Sequence, residues 1–246
     1  MSVIEDYRSK LKHLSDWDAY LLQESHLPGP RSNLELLYAC AELAPRTALD
    51  RWLQLTPVMA PENTPQCFLA CCGVVGLGRL LNEGDLTWLS TLRDLASDPR
   101  WRIRESVCMA LQRYGKDHMP DLLDMMETWA TGNPFEQRAA AAALCEPALL
   151  HKPEDTAGVL ELLNRITASI HMNAHRKQDD FLTLREGLAY CWSVAVAALP
   201  KVGKPLMETW LYSPDPDIRW LMKQNLKKNR LVKMDPAWVA QCISIL

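Results

Sequence analysis

The sequence predicts an all-α fold: a right-handed superhelical solenoid of about six helix pairs, forming a single repeat domain over residues 1–246. Three observations carry this expectation. Apolar residues recur at three- and four-residue spacing along nearly the whole chain, whereas strand-like alternation of β-branched residues is almost absent. Glycine is scarce, with 10 in 246 residues. Similar stretches of sequence return after short proline-containing junctions, at intervals of 34 to 47 residues in the second half of the chain.

From the N-terminus, the first copies are PRSNLELLYACAEL with Arg31 and PQCFLACCGVVGL with Gln66, 35 residues later. After a further 38 residues comes DPRWRIRESVCMAL with Arg104, and then NPFEQRAAAAALC with Arg138 after 34. FLTLREGLAYCW, with Arg185, follows after 47 residues, and DPDIRWLMKQNL, with Arg219, after 34 more. Trp17, Trp52, Trp88 and Trp129 mark the partner helices at a similar period. Between copies, Leu122, Leu123, Met126, Trp129 and Ala130 form one helical face. Asp98-Pro99, Asn133-Pro134, Asp215-Pro216 and Asp235-Pro236 read as helix starts: the Asp or Asn accepts from orphan first-turn amides, and proline's missing N–H costs nothing there. The stretch HMNAHRKQDD at 171–180 reads as an irregular insertion within the same domain. A two-helix unit cannot bury its apolar face alone, so such units stack.

The junction followed by an apolar residue and an Arg at the start of the second helix resembles the HEAT repeat, most specifically at 98–111, 133–145 and 215–226. The resemblance implies that second helices line a concave binding face. An Arg opening each second helix can also bond carbonyls or an Asp, giving a structural ladder of Asp98, Arg104, Asp215 and Arg219. Arg100 and Arg102 are read as freer.

Net charge is −3, which excludes a global pull toward nucleic acid or anionic lipid. Two segments are nonetheless basic: Arg100 to Lys116, and Arg219 to Lys233. In the second, Lys223, Lys227 and Arg230 fall at helical spacing and are expected on one face. The eight cysteines lie mostly in apolar runs, fitting a reducing compartment better than a disulfide framework. With no apolar leader or membrane-length run, the chain is expected to be cytoplasmic, with no membrane association.

Chemistry-bearing motifs are sparse. GVVGLG at 73–78 sits in an apolar helix, where small residues let helices approach. His171 and His175 are four apart, and Cys67, Cys71 and Cys72 cluster, but neither group completes a zinc ligand set. No catalytic residue, metal or cofactor is assigned. Arginine and tryptophan on second helices, with the basic residues of the last segment, make the binding candidates: Arg100, Trp101, Arg102, Arg138, Arg185, Trp220, Lys223, Lys227 and Arg230. Trp192, inside AYCWSVAVAAL, is expected in the core.

WRIRES at 101–106 and DIRWLMKQNLKK at 217–228 resemble segments of the HEAT-like alkylpurine DNA glycosylases. That resemblance implies duplex DNA held on a basic concave face by Trp, Asp and Arg. CWSVAV at 191–196 supplies the Trp without the acid. The first expectation is therefore a non-enzymatic scaffold holding a protein partner on its concave face. A DNA-binding or alkylation-repair protein is the alternative.

Overall fold

Polar and proline punctuation sets where the helices begin. The computed structural model describes residues 2–246, with fifteen α-helices, one short 3-10 segment and no strand among them. Six pairs would have made twelve. The helices group into two compact units, Met1–Tyr114 and Gly115–Leu246, within the span the sequence reading treats as one domain.

In the first unit, α1 (Val3–Lys12), α2 (Trp17–Glu24), α3 (Leu34–Leu43) and α5 (Pro65–Asn82) are capped by the side chains of Ser2, Asp16, Asn33 and Thr64. The unit is completed by α4 (Arg46–Leu53), α6 (Trp88–Leu95) and α7 (Trp101–Gly115). Helix α5 is apolar on every side, and such a helix must be buried all round. It is the hub that α2, α3, α4 and α6 pack against. Its glycines serve close approach: a Cβ at Gly76 would lie 2.5 Å from Leu49 Cδ2 on α4, and one at Gly78 would lie 2.4 Å from the Ala110 carbonyl oxygen on α7. Gly78→Val is accordingly expected to destabilise this unit by about 1–3 kcal/mol through overpacking. A chemical-unfolding midpoint equal to the parent's would show instead that α5 and α7 separate freely.

The second unit contains α8 (Met119–Trp129), α9 (Pro134–Leu144), α10 (Pro153–Ser169), α11 (Asp179–Ala198), α12 (Pro200–Leu211), α13 (Pro216–Leu226), α14 (Asn229–Met234) and α15 (Pro236–Ile245). Asn133, Asp215 and Asp235 cap α9, α13 and α15, each with proline in the first turn, as the junctions predict. Helix α11 is the hub of this unit and contacts α9, α10, α12, α13 and α14. Trp192 is fully buried and donates from Nε1 to Thr167 Oγ1 at 3.0 Å, the core position its apolar surroundings predict.

Within each unit, polar contacts join residues about one helix pair apart. Trp52 Nε1 on α4 donates to Asp18 on α2 at 2.9 Å, 34 residues back. Trp210 on α12 donates to Asn164 on α10 at 2.9 Å, and Trp238 on α15 to Glu208 on α12 at 2.6 Å, 46 and 30 residues back. No helix among the described residues is long and apolar enough to cross a membrane.

Candidate ligand-binding groove

Helix α7 opens with Trp101 and carries two stripes. Ile103, Val107, Ala110, Leu111 and Tyr114 face the core. Trp101, Glu105 and Met109, one turn apart, stay accessible. That accessible stripe forms one wall of a groove of about 290 Å³. Leu34 and Leu37 of α3 form the facing wall, Cys71 of α5 contributes between them, and Pro30, Arg31 and Ser32 close one side. Trp101 is 48 % exposed and Leu34 46 %, large apolar surfaces left to solvent at the groove.

The loop beside the groove is held by polar contacts. Asn33 donates to Tyr7 Oη at 3.0 Å and to the Glu24 carbonyl at 2.9 Å, while its Oδ1 accepts from the Leu36 amide. Arg102 clamps the loop from α7: it donates to the Gly29 carbonyl at 2.9 Å, to Asn63 Oδ1 at 3.3 Å and to Glu62 at 2.5 Å. Its guanidinium also lies 4.5 Å from the centre of the Trp101 ring.

This geometry corrects the freer reading of Arg100 and Arg102. Both are buried. Arg100 makes a two-pronged ion pair with Asp98, at 2.9 and 2.7 Å, and donates to the carbonyls of Leu55 and Ala60 at 2.9 and 3.1 Å. Arginines that spend their donors internally have few left for phosphate.

Of the two kinds of partner expected for the ladder arginines, carbonyls are found and the ladder carboxylates are not. Arg104 donates to the backbone carbonyls of Asp98 and Pro99, and Arg219 to those of Leu211 and Leu246. The carboxylates go elsewhere: Asp98 to Arg100, and Asp215 to Arg176. Arg176 comes from the 171–180 insertion and pairs with Asp217 as well, at 2.9 Å. Arg185 reaches Asp217 from α11 at 2.7 Å and lies 4.4 Å from the centre of the half-buried Trp220 ring. Arg176 was not singled out because nothing in HMNAHRKQDD shows that the loop folds back onto the α13 N-terminus.

Burial alone would raise the Asp215 carboxyl, but the Arg176 guanidinium and the amides of Ile218 and Asp217 outweigh it and hold it below the usual carboxylate range. A depressed folded pKa contributes stability above the unfolded value of about 3.9 and loses it as pH falls through the folded value. Asp215→Asn should therefore unfold more easily than the parent at neutral pH, with the gap closing below about pH 4. Urea midpoints measured from neutral to acid pH check this; a gap that does not change with pH would refute it.

The remaining candidates separate. The Arg138 stem lies against α11, where a Cβ at Gly187 would sit 2.9 Å from its Cγ. Lys223 is exposed on α13, but that helix ends at Leu226, with Lys227 as its C-cap. Arg230 belongs to the new helix α14, so the three cations do not share one helical face. His171 lies in the 3-10 segment Ile170–Met172 and His175 in the following turn, so no common helix aligns them. His171 Nδ1 is instead 3.4 Å from Asp215. No group of three or more potential metal ligands occurs among the described residues.

No known protein family model matches this chain, and no curated protein matches it.

The groove's lining is largely apolar, and its thiol and hydroxyl are held. The Ser106 hydroxyl donates to the Arg102 carbonyl at 2.8 Å. The Cys71 thiol is pushed well up by its hydrogen bond with Cys67 and by burial, so it stays protonated. A protonated thiol and a committed hydroxyl do not make an activated nucleophile. What the groove offers is apolar area with an aromatic anchor, the composition of an interaction surface.

Proposed function

We propose that the chain is a HEAT-like repeat scaffold that holds a protein partner, without catalysis, in the groove between α3 and α7. The observation that carries this reading is the exposed pair Trp101 and Leu34 at an apolar groove whose nearby arginine, Arg102, is already paired internally. The repeat assignment is supported by two polar contacts that join alternate helices, Trp52 to Asp18 and Trp210 to Asn164. On this reading Arg100 and Arg102 are positioning residues for the groove. The eight cysteines are all free and buried, which favours a reducing compartment such as the cytoplasm.

The test replaces Trp101 and Leu34 together with Glu. The double variant should fold like the parent by circular dichroism and unfolding, because both side chains are exposed. It should lose a partner that the parent captures and that binds again when the two purified proteins are mixed. A gel shift with duplex DNA at low and physiological salt, with an assay for release of alkylated bases, addresses the glycosylase-like alternative. Steeply salt-dependent duplex binding or base release would overturn the scaffold reading.

A further inference from the structure

The second unit carries a site of different chemistry. A cavity of about 450 Å³ lies at the C-terminal end of α11, lined by Pro147, Leu150, Val194, Ala197, Ala198 and Arg230. Its walls are aliphatic except for the arginine. Tyr190, one turn before Val194 on α11, is 44 % exposed and gathers cations. Arg230 lies 4.5 Å from its ring centre and donates to its hydroxyl, and the Lys228 ammonium is 5.5 Å from the same centre.

Several other cations of this unit are compensated within it. Arg165, Arg176, Arg185 and Lys204 each pair with a carboxylate. Among the described residues, Lys223, Lys227, Lys228 and Arg230 pair with none; Lys227 reaches only the Gln224 amide oxygen, at 3.3 Å. An aliphatic pocket rimmed by uncompensated positive charge complements a ligand that is apolar at its centre and acidic around it.

We propose that this pocket binds a segment of a protein partner in which an aliphatic side chain is flanked by carboxylates. The aliphatic side chain fills the space between Leu150, Val194 and Ala198, and the carboxylates meet Arg230 and Lys228. Nucleic acid fits less well. A phosphate backbone would meet the cations but would leave the aliphatic pocket of Leu150, Val194 and Ala198 unfilled, and the Tyr190 ring that could stack a base already carries Arg230 and Lys228. The site is separate from the groove at Trp101, so either assignment can fail without the other.

The test uses fluorescence anisotropy with the full chain and a labelled peptide of Asp and Glu with one central Leu. The same peptide with Ser for Leu, polyglutamate of equal length, and duplex DNA serve as comparisons. The Leu peptide should bind about tenfold more tightly than the Ser peptide, as expected for burying one such side chain. Ala198→Trp, which fills the pocket from an exposed position, should erase that difference and leave the Ser peptide unchanged. The double reversal Lys228→Glu and Arg230→Glu should abolish binding of both peptides, whereas Lys177→Glu should not; circular dichroism checks that every variant is folded. Equal affinity for the Leu and Ser peptides, indifference to Ala198→Trp, tighter binding of duplex DNA, or no binding of the Leu peptide at low salt would each overturn the proposal.

Discussion

Arg100→Ala is expected to destabilise the first unit by about 3–5 kcal/mol, the range for breaking a buried ion pair on one side. The side chains of Arg100 and Asp98 are only 6 % and 7 % exposed. Removing the guanidinium leaves a buried carboxylate without its counter-ion. It also leaves the carbonyls of Leu55 and Ala60 without the donors they now have. The loss of a partner, rather than the worth of the pair, sets the size of the effect. Replacing both members, Asp98→Ala with Arg100→Met, should therefore recover part of the loss, since no charge is then stranded. Denaturant midpoints of the single and double variants decide the matter. An Arg100→Ala midpoint near the parent's would mean that water reaches Asp98 and the pair is not buried in solution.

The mispairing of these residues in the sequence reading has a definite physical origin. The ladder rests on the recurrence of Asp98 and Asp215 at equivalent junctions, and recurrence does not say which neighbouring arginine a carboxylate takes. Helix α7 begins at Trp101, so Asp98 and Arg100 lie in the junction before it. There, two residues apart is a workable distance, and Asp98 takes both the Arg100 amide and its guanidinium. The grouping of Lys223, Lys227 and Arg230 has a different origin, helical spacing carried past a helix end. A continuous helix was assumed through KKNR, where the chain ends α13 and starts α14.

What was legible is what local patterning determines. The all-helical class, the capped proline junctions at Asn133, Asp215 and Asp235, and the buried Trp192 follow from periodicity and from the orphan amides of a first turn; at Asp98-Pro99 the helix starts later, at Trp101. The tight glycine segment in α5 also followed, because GVVGLG in an apolar helix has few other uses. The groove was only half legible. Trp101 could be named from its position at a repeat start, but Leu34, Leu37 and Met109 read as ordinary helix residues. They meet only through packing of α3, α5 and α7, which no local pattern encodes. Arg102 could be named, but its partners Gly29 and Asn63 are far away in sequence, so its role as a clamp was hidden.

Asn225 is the clearest case of a residue without a sequence signal, and its replacement is expected to be among the most damaging in the second unit. In DIRWLMKQNLKK it reads as one more polar residue near a helix end. In the structure it is completely buried. Its Oδ1 accepts the Ser193 amide of α11 at 2.8 Å, and its Nδ2 donates to the carbonyls of Leu188 on α11 and Leu221 on its own helix, at 2.9 and 2.8 Å. A side-chain amide thus stands between two backbone groups of α11, the hub of the unit, and stitches it to α13. An amide has one proton, and that of Ser193 is directed at Asn225. Asn225→Leu keeps the branched outline, with larger terminal groups, but can neither accept nor donate. It should cost about 3–5 kcal/mol, with two buried backbone groups affected at about 1–3 kcal/mol each. Asn225→Asp should also fall, because a carboxylate keeps the acceptor for Ser193 but presents negative charge to the Leu188 and Leu221 carbonyls. Hydrogen exchange at Ser193 supplies the specific readout: exchange should accelerate at this amide in Asn225→Leu beyond the change seen along the rest of α11. Equal stability and an unchanged Ser193 rate would show that α11 closes its own ladder there and that Asn225 only fills space.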